Sequence, residues 1–338
     1  MSHTRNELSD NQRWLQLHTE EIIDPARRIV DPHHHLWRES VLDPYLLEDL
    51  RADTDSGHNI CKTVFVECGA EYRTSGPKHL LSIGETEFVA EVARQSELDA
   101  GATISGIVAR ADLRHEALEE IIAAHREAAG GRLRGFRHAL ARAPEGVELM
   151  IPGRGTEGLY ADESFLRGVR KLGNTGLSYD SWHYHFQNHE YLALAQSAPG
   201  TLMVLDHCAT PLGVGPYANQ REEIFQQWRA GIVEIARCEN VVAKLGGLAM
   251  PDNGFGWMGR DMPPSSDEFV AAQARYYHHM IESFGPDRCM FESNFPVDKL
   301  SISYPVLWNG LKKIAARYSE SEQDAMFYQT ATRVYALD

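Results

Sequence analysis

The sequence is poor in cysteine, poor in positive charge and free of long apolar runs, and each shortage excludes a class of protein. Five cysteines are scattered over 338 residues, an odd number with no C-x-x-C pair. Neither a disulfide framework nor a thiolate zinc site is expected, and buried reduced thiols in a cytoplasmic protein are the simplest account. Cys208, next to a histidine of interest, reads as a small packed residue. Lys and Arg total 33 against 48 Asp and Glu, a net charge of −15. That sign gives nucleic acid or an anionic membrane little to hold, although a few local cations can still bind a small anion. No apolar run reaches membrane-spanning length, and the polar first residues do not read as a signal peptide. No Gly-rich phosphate loop follows the first apolar strand, and no repeat of fixed period occurs. The partner left by these exclusions is a small molecule, with a homo-oligomer also compatible.

What is present is the composition of a globular protein: 43% hydrophobic and 24% charged residues. Residues 1–28 are polar, with a helical stretch around Asn11–Leu17, and read as an arm. The first strand follows as Ile29-Val30-Asp31-Pro32-His33-His34-His35. Further β-rich runs fall at 62–67, 102–108, 133–138, 176–180, 201–207, 240–245 and 289–293. Helical patterns at 85–98, 117–122, 219–238 and 268–284 alternate with them. Eight strands with intervening helices predict a single (β/α)8 TIM barrel over 29–338, with an open doubly wound sheet as the alternative. Long connections at 139–160, 208–217 and 246–265 all follow strands, so they belong to the C-terminal face, where barrel active sites are built. The last, with Phe255, Trp257 and Met258, reads as a lid or substrate wall.

The strand ends carry the chemistry. Side chains alternate across a strand, so His33 and His35 share one face and His34 takes the other, which assigns His34 to structure. Arg137 and His138 end the fourth strand. Trp182, His183, Tyr184 and His185 follow the fifth. Asp206 and His207 end the sixth, Lys244 the seventh, and Glu292, Asn294 and Asp298 follow the eighth. A lone histidine is more often a satisfied structural residue. A set this large, repeated at strand mouths, is not explained by packing, because buried polar groups are costly without partners.

Asp31-Pro-His-His-His-Leu-Trp, Gly135-Phe-Arg-His, Leu205-Asp-His-Cys, Val242-Ala-Lys-Leu-Gly-Gly-Leu and Met290-Phe-Glu-Ser-Asn-Phe-Pro-Val-Asp-Lys together resemble the amidohydrolase superfamily. Within it they resemble the amidohydrolase-related (amidohydrolase 2) branch and its lactonase-like TIM-barrel hydrolases. The resemblance runs from about Ile29 to the C-terminus. It implies that His33, His35 and His207 ligate a divalent metal, zinc or manganese, or contact substrate directly in a metal-free site. Both remain open, and no organic cofactor is implied. It also implies that Arg137, His138, Trp182, Tyr184, His185 and Lys244 face the substrate.

One position departs from the family pattern. The eighth strand usually ends in an aspartate acting as base or metal ligand, and Asn294 stands there. An amide cannot take a proton from water near neutral pH. Asp298 could supply the carboxylate, or a histidine such as His207 or His185 could be the base, or hydrolysis could be absent. The expected activity is hydrolysis of a lactone or similar small carbonyl compound by His33, His35, His207, Asn294 and Asp298. The alternatives are a metal-dependent decarboxylase of the same branch and a non-catalytic binding barrel.

Overall fold

Period-two alternation of apolar residues gives each barrel strand an inner and an outer face. The structure is a computed structural model that describes residues 9–40 and 42–337. Its strands are β1 (Arg28–His34), β2 (Asn59–Val66), β3 (Thr103–Arg110), β4 (Leu133–Arg137), β5 (Ser178–Ser181), β6 (Met203–Leu205), β7 (Val241–Leu245) and β8 (Cys289–Phe291). All pair in parallel, in sequence order, within one sheet. The ring closes beyond the ladder: His35 N–H donates to the Phe295 carbonyl at 2.8 Å and Asn294 N–H to the His33 carbonyl at 3.0 Å. The fold is the expected (β/α)8 barrel.

Val64 and Val66 face inward with Val30, Val108, Val204, Val242 and Met290, and the C-terminal residues Val334, Tyr335 and Leu337 pack against this inner layer. Phe65 faces outward into the larger layer between strands and helices. The helices are α1 (Asp10–Leu15), α2 (Leu47–Thr54), α3 (Ile83–Ser96), α4 (Leu118–Ala129), α5 (Glu163–Asn174), α6 (Asn188–Ser197), α7 (Arg221–Ala236), α8 (Ser266–Phe284) and α9 (Tyr304–Ala315). Ser265 caps α8 through a reciprocal bond with Glu268. In the arm, α1 is anchored by Trp14 Nε1, which donates to the Arg260 carbonyl at 2.7 Å. Lys312 Nζ holds the next segment through the Ile23 carbonyl at 2.9 Å.

The long connections divide differently from expectation. From 139–160, Ala139, Met150, Ile151, Pro152 and Arg154 line the barrel mouth. The segment 246–265 is divided: 246–250 are buried, Phe255 and Trp257 stack at 5.3 Å with Trp257 on Phe269, Met258 and Met262 are exposed, and Met250 is its contribution to the mouth. The short connection after β2, from Glu67 to Tyr72, forms a wall instead.

Candidate active site

Three consecutive histidines leave β1 with three different surroundings. His34 pairs its Nε2 with Thr63 Oγ1 at 3.0 Å and meets Phe65 edge-on, away from the mouth. His35 hydrogen-bonds the Val66 carbonyl through Nδ1 at 2.8 Å. A carbonyl only accepts, so the ring proton is on Nδ1 and Nε2 carries the lone pair. His33 is completely buried, with Lys244 Nζ 3.3 Å from Nδ1 and Arg137 Nη1 3.4 Å from Nε2. Burial first, then the nearby Lys244 cation, holds the His33 imidazole well below its usual range.

β6 delivers His207 through an unusual backbone. His207, Cys208, Ala209 and Thr210 all have left-handed φ, at 55°, 50°, 55° and 32°. Non-glycine residues resist this by roughly 1–2 kcal/mol each. The turn is held by Trp228 Nε1, which donates to the Cys208 carbonyl at 2.6 Å, and by Thr210 N–H on the His207 carbonyl at 2.9 Å. Strain of this kind concentrates at functional sites. Its effect is to place both the backbone N–H and the ring Nδ1 of His207 on Glu292 Oε1, at 3.1 and 2.7 Å. Two glycines after β7 make room. A Cβ at Gly246 would stand 2.4 Å from Glu292 Cγ, and one at Gly247 2.4 Å from His207 Nδ1.

Beneath the mouth lies a buried ion network. Lys244 Nζ is 3.0 Å from Asp180 Oδ2 and 3.1 Å from Asp206 Oδ1. Arg137 donates from Nε to Glu67 Oε1 at 2.8 Å, and its Nη1 is 3.4 Å from Asp206 Oδ2. Glu292 Oε2 stands 2.9 Å from His33 Nδ1, outside hydrogen-bond alignment. Burial opposes the charge on Lys244, but Asp206, Asp180 and Glu292 outweigh it and hold the ammonium above its usual range. Burial pushes the Glu292 carboxyl up to about 8 and His207 down to about 3. Tyr335 reaches from the C-terminal segment to donate to Asp180 Oδ2 at 2.5 Å, so the network rests on the barrel's own plug.

Above this network is a cavity of about 690 Å³, lined among others by His35, Trp37, Arg137, Trp182, His207 and Asn294. Five of the residues singled out from sequence therefore meet there: His35, Arg137, Trp182, His207 and Asn294. His33 and Lys244 lie below, touching the cavity only through their neighbours. The other four do not line it. His138 accepts from Leu113 N–H at 3.3 Å and packs on Phe165. Tyr184 accepts from Gly153 N–H at 2.8 Å, and His185 Nδ1 accepts from Leu212 N–H at 3.3 Å. Asp298 is buried under Asn294, accepting from its Nδ2 at 2.8 Å and from Ala249 N–H at 3.1 Å. Burial keeps its carboxyl well above the usual carboxylate range.

His33, Asp206 and His207 present donor atoms within 4.8 Å of one another, a grouping close enough to hold a metal ion. It shares His33 and His207 with the trio expected from sequence and has Asp206 in place of His35. The sequence pattern singles out Asp206 and Glu292 among the strand-end polar residues without giving either a specific role, and it passes over Glu67 and Asp180. A signal for them existed: carboxylates end the second, fifth, sixth and eighth strands, and cations the fourth and seventh.

The family model described as Amidohydrolase matches residues 30–337. An uncharacterized protein, y4mH, of Sinorhizobium fredii is 30% identical over 91% of this chain and 98% of its own length. An L-fucono-1,5-lactonase of Burkholderia multivorans is 28% identical over 91% of this chain and 96% of its own. Among solved structures, an amidohydrolase from Burkholderia multivorans with bound zinc aligns with a TM-score of 0.73 and 25% identity, over 92% of this chain and 99% of that one.

Proposed function

The chain belongs to the amidohydrolase family, and from that premise we propose that this hydrolase opens the ester bond of a small lactone with His207 as general base. The observation that carries the reading is the pair of hydrogen bonds from His207 to Glu292 Oε1. An oxygen that accepts the backbone N–H is also the acceptor for the ring. With Glu292 ionised, the ring proton is assigned to Nδ1, and Nε2 of His207 is left as a lone pair. His35 has the same tautomer for its own reason. Two unprotonated imidazole nitrogens at one cavity floor can accept hydrogen bonds from both protons of a water molecule and leave an oxygen lone pair free to attack a carbonyl carbon. His207 Nε2 takes one proton of the attacking water, with Asp206 favouring the imidazolium, and gives it to the ring oxygen as the acyl C–O bond breaks, so that the lactone opens to a hydroxy acid. Arg137, fixed by Glu67 and Asp206, lines the same cavity and supplies positive charge where the oxyanion develops. The 28%-identical lactonase supports the choice of a lactone over other carbonyl substrates.

The arrangement does not suit a divalent ion, despite the close grouping of His33, Asp206 and His207. Both ring nitrogens of His33 already lie within hydrogen-bond reach of permanent cations, Lys244 and Arg137. Both oxygens of Asp206 face the same two cations, at 3.1 and 3.4 Å. Of the three donors only His207 faces, among the described residues, no permanent cation within 3.5 Å, and Asn294 offers a neutral amide where a carboxylate ligand would help. The proposed reaction is therefore carried by the protein's own cations.

The test is product analysis on a lactone panel with purified enzyme and its His207→Ala variant. Ring-opened hydroxy acids from the parent and at least a hundredfold less from the variant are expected. Carbon dioxide release from an unsaturated acid, or full activity in the variant, would overturn the reading.

A further inference from the structure

The upper wall of the cavity carries positive charge that the protein does not neutralise. Arg110 ends β3, is the register partner of Arg137 on β4, and lines the cavity with Arg154 from the loop after β4. The two strand-end arginines are used differently. Arg137 turns down onto Glu67 and Asp206. Among the described residues the Arg110 side chain makes one hydrogen bond, from Nη1 to the Arg137 carbonyl at 3.3 Å. Among the described residues, no carboxylate lies within 4.0 Å of the guanidinium of Arg110 or Arg154. The cavity lining holds two acidic side chains: Glu67, committed to Arg137, and Glu39, exposed at the rim. In a chain with 15 more acidic than basic residues, a cavity wall with spare cations is a local inversion of sign. Tyr72 and Met150, also in the lining, stay 37% and 45% exposed, an apolar rim with no protein cover.

We infer that Arg110, assisted by Arg154, is the binding site for a carboxylate on the substrate itself, so that the enzyme acts on acidic rather than neutral lactones. The inference rests on the hydrolase reading and adds a substrate class to it. Neighbouring strands are about 4.8 Å apart, so an anion on Arg110 is one strand removed from a carbonyl polarised by Arg137. That spacing fits a carboxylate attached to the lactone ring or one carbon away. A guanidinium edge matches a carboxylate with two parallel hydrogen bonds. Inorganic phosphate, which a guanidinium can also hold with two bonds, is the competing anion included in the test.

The test separates binding from turnover. Binding of methylsuccinate, its dimethyl ester and inorganic phosphate is measured by calorimetry on the wild-type protein and on Arg110→Ala, Arg110→Lys and Arg154→Ala, each checked for an unchanged melting curve. The exposed Arg154 keeps the test readable should Arg110→Ala fail to fold. The dianion is expected to bind the wild type, to weaken roughly ten- to a hundredfold in Arg110→Ala, to recover partly in Arg110→Lys and to weaken with salt. Equal binding by Arg110→Ala, equal binding of the diester, preference for phosphate, or no binding of methylsuccinate to the wild type would each overturn the assignment. Paraconate, a γ-lactone with a ring carboxylate, is then offered as substrate. If it binds through Arg110 and is not opened, and no other lactone is opened either, the hydrolase reading fails while the anion site stands.

Discussion

Glu292 Oε1 receives both the backbone N–H and the ring Nδ1 of His207, at 3.1 and 2.7 Å. A single carboxylate oxygen thus fixes the position, rotation and tautomer of one imidazole. Replacing that oxygen with an amide removes the certainty. In Glu292→Gln the side chain is nearly isosteric, so the fold should persist. The amide nitrogen can turn toward Nδ1, however, and drive the ring proton to Nε2. The expected outcome is a fall in kcat of roughly a hundred- to ten-thousandfold with little change in KM. A variant with wild-type kcat would remove Glu292 from the mechanism.

The pH dependence follows from burial. His207 is held down to about 3, and His33 and His35 well below their usual range, all chiefly by desolvation. A base must be unprotonated, so a lowered value extends its working range into acid. kcat/KM should show no limb at 6.5, where a free imidazole would titrate; the acid limb should lie near 8, where the buried Glu292 carboxyl takes up its proton. Stability behaves otherwise. The unfolded chain takes up protons on these histidines below about 6.5 and the folded chain does not, so stability falls as pH drops through that range. A thermal melt at each pH separates this loss of stability from the limb in activity. An acid limb near 6.5 in a fully folded enzyme would contradict the assignment.

Gly247 has φ of 67° and no room for a methyl group beside His207. Gly247→Ala meets both penalties, left-handed backbone and a contact at 2.4 Å with the ring. Destabilisation on the order of 2 kcal/mol is expected from strain and overpacking. The ring must also move off Glu292, so activity should fall further than stability alone explains. Chemical denaturation and kcat measured on the same preparation distinguish the two effects. Wild-type kcat in a merely destabilised variant would show that His207 has freedom to spare.

Much of this was legible in the sequence, for reasons that can be named. Alternation in Val64-Phe65-Val66 and its counterparts marks the barrel strands directly, because inner and outer layers demand different faces. His33 and His35 stand out for the same reason, although the chain leaves β1 between them and only His35 reaches the cavity. What could not be read was pairing across the barrel. Glu292, Asp180 and Glu67 are ordinary strand-end acids until the ring closes and places them against Lys244, Arg137 and the histidines. Lys244 was expected at the substrate and lies under the floor instead, because its seventh-strand position points into the ring of carboxylates. The left-handed run from His207 to Thr210 contains no glycine and left no trace in composition. Phe255 and Trp257 suggested a wall, but aromatic pairs in a long loop serve equally well as core, and here they do.

The remaining prediction concerns metal. Lys244 and Arg137 each reach His33 and Asp206, so two permanent cations already stand at the donor atoms a metal would use. Adding a divalent ion requires either cation to withdraw from buried acids, which costs several kcal/mol for every charge left unpaired. Prolonged chelation followed by elemental analysis should leave lactone hydrolysis intact in protein that carries less than a stoichiometric amount of zinc or manganese. The complementary variant is Lys244→Met, which removes the ammonium and opens a lone pair on His33 and an oxygen on Asp206. If Lys244 stands in for a metal, this variant should lose activity and bind added zinc more tightly than the parent does, measured by competition with a chromogenic chelator. Activity that is abolished by chelation of the parent and restored by zinc or manganese would show instead that the cations yield to a metal. His33, Asp206 and His207 would then be its ligands.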